Sequence, residues 1–217
     1  MRPMSRPGSS SADAVHDHGP LERSDLDADP IAQVRAWLAD AEASGVVLPN
    51  AMALATVGPD GAPSARHVLL RHITDDGITF FTNRTSRKAH ELAANPRAAC
   101  TLYWRELDRQ ICLRGAVTEL SVEASDAYFA TRPRDAQPGA WASEQSRALV
   151  DRATLERRVE EARDRFAGGD VPRPAHWGGY VLTPDEVECW QGRPYRLHDR
   201  FRYTRQGSGW QLERLYP

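Results

Sequence analysis

Residues 51–83 read AMALATVGPDGAPSARHVLLRHITDDGITFFTN, three apolar runs divided by clusters of turn-forming residues. The run 51–57 is short and apolar, Gly58-Pro59-Asp60-Gly61 predicts a turn, and 64–73 returns as a second strand. Thr74-Asp75-Asp76-Gly77 then turns the chain into 78–83, so the whole stretch reads as an antiparallel meander. Downstream, Ser86 stands where it would cap a short helix over 87–95, stopped by Pro96. Residues 98–104 and 110–120 read as two more strands around the polar turn 105–109. Helices are expected at about 122–131 and 151–166, with an irregular segment holding Pro133, Pro138 and Gly139 between them. The chain returns to strands over 178–190 and 200–215, with Gly207-Ser208-Gly209 as a hairpin tip. Upstream, Asp29-Pro30 supplies a cap and a proline at the first helical position. Ile31, Val34, Trp37, Leu38 and Ala41 follow at helical spacing, which predicts an amphipathic helix over 30–44.

About six antiparallel strands with peripheral helices predict a mainly β, α+β domain over 29–217, built as a small closed or half-closed barrel. Closure also removes strand edges that an open meander would expose. Residues 1–28, rich in Ser, Asp, Pro and His without periodicity, are expected to form a disordered arm.

The 217 residues suffice for one substantial core. Lys+Arg 28 against Asp+Glu 30 leaves a net charge of −2, which argues against a generally basic nucleic-acid binder. No apolar run approaches the roughly 20 residues of a membrane helix, and the opening MRPMSRPGSSSADA lacks a leader's apolar stretch, so a cytoplasmic protein is expected. Cys100, Cys112 and Cys189 form no CxxC pair, and nothing resembles a metal cage, a nucleophile elbow or a GxGxxG loop. Lys88 is the sole lysine in a chain whose cations are otherwise arginine. A lysine that survives such a bias raises a functional question.

Three places offer chemistry. Residues 82–88, Thr-Asn-Arg-Thr-Ser-Arg-Lys, join a strand end, a capping serine, a helix N-terminus and the cations Arg87 and Lys88, a setting that suits an anion. A solvated cap with two surface cations is the plainer alternative. Arg66 and Arg71 share one expected strand, where an odd separation puts them on opposite faces unless a bulge or twist intervenes. Each needs a partner, a bound phosphate or water at an edge. Residues 190–200 pack Trp190, His198 and three arginines (Arg193, Arg196 and Arg200, with Tyr195 between) into a run suited to a flat ring with polar edges.

Taken together, these residues resemble the pyridoxamine/pyridoxine 5′-phosphate oxidase family of FMN-dependent split-barrel flavoenzymes, from about Asp29 to the C-terminus. The resemblance rests on Arg66-His67-Val68-Leu69-Leu70-Arg71, Phe80-Phe81-Thr82-Asn83, Ser86-Arg87-Lys88, Arg109-Gln110, Tyr128-Phe129 and Arg132-Pro133-Arg134-Asp135. It continues through 139–146, Trp177-Gly178-Gly179, Trp190-Gln191-Gly192, 196–200 and Arg214-Leu215. It implies that Arg66, Arg87, Lys88 and Ser146, with Thr82, lie at the FMN phosphate. Gln110, Gln145, Trp190 and Arg200 would line the flavin, and His67, Val68, Leu69, Leu70, Arg71 and Phe81 belong to the same cofactor segments. Arg71, Tyr128 and Arg132 would hold a substrate phosphate, with Arg196 and His198 over the pyridine ring as the catalytic pair.

The reaction so implied converts pyridoxine or pyridoxamine 5′-phosphate to pyridoxal 5′-phosphate by hydride transfer to flavin N5, with O2 as acceptor. A homodimer with FMN in the interface is implied, the segment 175–217 serving dimerisation and substrate. No metal, nucleic acid or membrane partner is expected. Arg71 stands where the family usually has lysine and Ala136 where serine is common, and residues 102–106 resemble the related flavin oxidases of phenazine biosynthesis. A secondary-metabolite oxidase of the same fold is therefore the alternative, and a non-catalytic flavin- or haem-binding split barrel a third reading.

Overall fold

In the computed structural model, which describes residues 19–217, the meander of 51–83 begins a single antiparallel sheet of nine strands. In chain order these are β1 (Ala51–Val57), β2 (Pro63–Leu69), β3 (His72–Thr74), β4 (Gly77–Asn83), β5 (Arg97–Trp104), β6 (Arg109–Glu119), β7 (Trp177–Gln191), β8 (Asp199–Gln206) and β9 (Gly209–Leu215). They lie in the order β2-β1-β5-β6-β7-β4-β3, with β8 and β9 branching from β7. The 15-residue β7 is the spine. Along one edge it pairs with β6; along the other it serves β4 through 177–182 and β8 through 186–191. Two strands therefore share one edge of β7 end to end, which splits the sheet.

The ends of the order, β2 and β3, are joined by only Leu70 and Arg71, so the sheet curls back on itself as a half-closed barrel. Met52, Leu54, Phe80, Leu102, Ile111, Leu113 and Leu182 fill it with essentially no exposure. Alternate residues of β1 and β5 are buried, the period-2 signature of strands with one face on a core.

Five α-helices flank the sheet: α1 (Pro30–Ala43), α2 (Arg87–Ala94), α3 (Val122–Thr131), α4 (Gln137–Ala142) and α5 (Arg152–Arg165). The Asp29 side chain accepts from the Ile31 amide at 3.0 Å, the cap its position predicts. Among the described residues no helix is long and apolar enough to cross a membrane.

Four expectations change. The strand count is nine rather than about six. The expected strand 64–73 breaks at Leu70-Arg71, because Leu70 N–H still bonds to Asn50 beside β1 whereas Arg71 N–H bonds to Thr79 on β4. Part of the segment expected to be irregular forms α4, with Pro138 in its first turn, where a missing N–H costs little. Residues 19–28 are not a loose arm: Leu21 is buried, its amide donates to Asp199 at 3.0 Å, and Arg214 donates to its carbonyl at 2.9 Å. The rest of the expected arm, 1–18, lies outside the described residues.

Candidate functional site

The break between β2 and β3 matters for function. It turns Arg71 into the same cavity that Arg66 lines, so the alternation that would have separated them does not apply. The cavity holds about 570 Å³ and is bounded by residues 64–69 of β2, Arg71, Phe81 and Thr82 of β4, Arg87 and Lys88 of α2, and Gln145 and Ser146. Of the cofactor segment 66–71, Leu70 alone is elsewhere: its side chain is 3% exposed in the core. Ser146 adopts a left-handed conformation, φ 74°, which places a non-glycine residue in a strained backbone at the cavity wall.

Lys88 is no surface cation. It is 6% exposed, and its Nζ donates to Gln145 Oε1 at 2.8 Å, Thr82 Oγ1 at 3.0 Å and Ser86 Oγ at 3.3 Å. Ser86 holds the N-cap position of α2 but makes no side-chain cap bond, because its hydroxyl serves Lys88 instead. Burial and the neighbouring Arg66 charge, opposed by Glu91, bring Lys88 down to about 8.

Arg66 finds neither a surface nor only an absent anion. Its Nη1 donates to the Leu54 carbonyl at 3.1 Å and to Thr56 Oγ1 at 2.6 Å. Its Nη2 reaches Ser64 Oγ, and Glu91 Oε2 at 3.2 Å. Glu91 escaped the sequence reading. On α2 it follows Arg87 by four positions, which reads as a surface helix pair, yet it is 4% exposed. Burial opposes its charge, but hydrogen bonds from Ser64, Thr56 and Arg87 and the Arg66 charge outweigh this and hold it at about 2.

A second cationic corner adjoins the first. Tyr128 stacks on Phe81 with ring centroids 3.9 Å apart, and Trp177 continues the stack at 5.2 Å from Phe81. The Arg71 guanidinium lies 5.9 Å from the Tyr128 ring, and that of Arg132 lies 5.0 Å from Trp177. The aromatic stack thus links the two arginines, and burial lowers Arg132, opposed by Tyr128 and aided by the Arg71 charge. Arg132 Nη1 is buried without a hydrogen-bond partner, while Nη2 donates to the Ala136 carbonyl at 3.1 Å.

The remaining residues lie elsewhere. Gln110, Trp190 and Arg200 form one cross-strand row on β6, β7 and β8, and none lines the cavity. Directly opposed residues share a face. Arg66 is in register with Leu54, Cys100 and Leu113, all interior; Gln110 is three residues from Leu113 and faces outward. The His198 ring sits 4.7 Å from Trp190, and its Nδ1 accepts from the Arg193 amide at 3.1 Å. That bond puts the neutral ring's proton on Nε2. Burial and the Arg196 charge, opposed by Asp108, hold His198 below its ordinary value. Tyr195 and Arg196, consecutive and both left-handed at φ 61° and 63°, make this loop another strained segment.

Comparison with known proteins decides the family. Residues 38–166 match the model of the pyridoxamine 5′-phosphate oxidase family, and 177–217 match that of the pyridoxine 5′-phosphate oxidase C-terminal dimerisation region. The chain belongs to the pyridoxamine 5′-phosphate oxidase family. It is accordingly an FMN-dependent oxidoreductase of the split-barrel flavin-binding fold. It is 51% identical over 200 residues to the pyridoxine/pyridoxamine 5′-phosphate oxidase of Burkholderia cenocepacia, covering 91% of this chain and 93% of that one. It is 53% identical over 197 residues to the enzyme of that name from Thermosynechococcus vestitus, with 91% and 93% covered. Among solved structures, PhzG from Burkholderia lata in complex with tetrahydrophenazine-1-carboxylic acid superposes with a TM-score of 0.86 at 37% identity, over 91% of this chain and 98% of that one. A family donor set fits what the fold presents: a buried lysine between two arginines, and an orphaned arginine N–H beside them.

Proposed function

We propose that the chain oxidises pyridoxine or pyridoxamine 5′-phosphate to pyridoxal 5′-phosphate as a homodimer, with O2 as the electron acceptor. The observation that carries this reading is the pair of adjoining cationic corners. Arg66, Arg87 and Lys88 would take the phosphate of FMN, and Arg71, Tyr128 and Arg132 the phosphate of the substrate. The buried, unpartnered Arg132 Nη1 is the donor such an anion would satisfy. FMN, when bound, would supply a two-electron acceptor at the substrate C4′ that O2 can reoxidise. Pyridoxine phosphate then loses two electrons and two protons, which leave as hydrogen peroxide; pyridoxamine phosphate also takes up water and releases ammonia.

The chain's own groups orient these partners. His198, neutral with its proton on Nε2, would donate to the hydroxyl oxygen on the substrate's ring, and Arg196 would hold the ring from the same loop. Gln110, Trp190 and Arg200 would line the flavin. Because they occupy the outward face of the sheet while Arg66 occupies the inward face, one chain would not bring both sets to one flavin. A second copy would, in keeping with the dimerisation region over 177–217. We place the start of the catalytic unit no later than residue 19, since Leu21 packs into its core, with the last 40 or so residues serving the dimer.

The relatives near half identity favour the vitamin phosphate. Arg71, Ala136 and the likeness to PhzG favour a second reading, in which a reduced tricyclic carboxylate takes the substrate place. An anaerobic titration separates them. Pyridoxine 5′-phosphate added to FMN-loaded protein should bleach the flavin, and air should restore it with release of pyridoxal phosphate. A flavin that stays yellow with both vitamin phosphates but bleaches with a tetrahydrophenazine carboxylate would overturn the first reading.

A further inference from the structure

Glu91 is a buried carboxylate at the back of an anion site, where Coulomb's law alone would call it unfavourable. Its four contacts explain its presence. Oε2 accepts from Thr56 Oγ1 at 2.5 Å, from Ser64 Oγ at 2.6 Å and from Arg66 Nη2 at 3.2 Å; Oε1 accepts from Arg87 Nε at 2.8 Å. Thr56 and Ser64 also accept from Arg66, so the guanidinium is bracketed by β1, β2 and α2 at once. Held through Nε, Arg87 keeps its two Nη groups, the fork suited to phosphate oxygens, for a ligand.

We propose that Glu91 is a positioning residue: its carboxylate fixes the guanidinium groups of Arg66 and Arg87 in the orientation that grips the cofactor's phosphate. This rests on the reading of the Arg66–Arg87–Lys88 corner as the FMN phosphate site. The charge balance agrees. Three cations and one carboxylate leave two net positive charges, the complement of a phosphate carrying about −1.5 to −2. Glu91 thereby also keeps three cations from repelling one another before the anion arrives.

The test is the affinity of apo-protein for FMN and for riboflavin, which lacks the phosphate, each followed by quenching of flavin fluorescence. Glu91→Gln removes a negative charge, so simple electrostatics predicts tighter FMN binding. Positioning predicts the opposite, FMN binding weaker by at least about tenfold, the loss of one charge-assisted hydrogen bond. Riboflavin affinity should stay within about twofold of the native value, on the same reasoning that no phosphate contact is at stake. Thr56→Val, behind the cavity wall, should shift FMN in the same direction by a smaller factor, and serves if Glu91→Gln does not fold. In an Arg87→Met background, whose side chain is mostly exposed, Glu91→Gln should cost less than in the native chain.

Unchanged or tighter FMN binding, an equal loss for riboflavin, or the same cost with and without Arg87 would each overturn the proposal. A native protein that binds riboflavin as tightly as FMN would instead refute the phosphate-site reading on which it stands.

Discussion

The two ends of the proposed site are built differently. The phosphate end, on β2, β4 and α2, is anchored within one chain: Lys88 and Glu91 are buried, and Arg66 donates to four acceptors. The ring end, on β6 to β8 and the 193–198 loop, is half-exposed and strained. Tyr195 is 92% exposed and Leu197 66% exposed, and two successive residues are left-handed. A preorganised end spends nothing on ordering when its ligand binds, which favours retention of a resident cofactor. An open, strained end suits a substrate that must come and go.

The largest test of that contrast is Arg66→Ala. It takes from the buried Glu91 one of its two arginine partners, leaving Arg87 and two hydroxyls, which costs about 3 kcal/mol. A lower melting temperature of the apo-protein, by roughly 10 °C, should accompany FMN affinity weakened by about a hundredfold or more. Arg196→Ala should do the reverse at the other end: turnover falls at least about tenfold with FMN affinity intact, measured by steady-state kinetics alongside flavin fluorescence. Unchanged kinetics would remove Arg196 from the ring.

The pH dependence sharpens the comparison through Lys88. It titrates at about 8 in the folded chain against an ordinary 10.5, so between these values the unfolded chain holds a proton that the folded chain has lost. Stability of the apo-protein from this group therefore rises as pH climbs from 8 to 10.5. FMN affinity should move the other way, falling above pH 8 by up to about tenfold per unit, because binding requires the proton. Lys88→Met should flatten both slopes. The smallest effect is expected of Ala136→Ser beside Arg132: KM for the vitamin phosphate falls about two- to fivefold, the value of one neutral hydrogen bond.

The meander was legible because Gly58-Pro59-Asp60-Gly61 and Thr74-Asp75-Asp76-Gly77 mark its reversals chemically. The break at Leu70-Arg71 was not, since Leu70 continues the apolar run and only the change of partner from β1 to β4 ends it. Residues 19–28 escaped for a similar reason: Leu21 is ordered by Asp199 and Arg214, 178 and 193 residues away. The cations of the site stood out by type and spacing, and Lys88 by its rarity. Glu91 did not, because its burial depends on two hydroxyls from other strands. Gln110, Trp190 and Arg200 were singled out through resemblance alone, and the structure brings them into one row outside the cavity's lining.

The central claim is that each site takes its phosphate end from one chain and its ring end from another. Lys88→Met and Arg196→Ala chains, each strongly impaired as a homodimer, can be unfolded together and refolded as a mixture. If the ends come from different chains, every mixed dimer contains one native site, and the mixture recovers roughly a quarter of native activity, the statistical share for random pairing. If both ends belonged to the same chain, every site would carry one defect, and the mixture would stay as inactive as its parents.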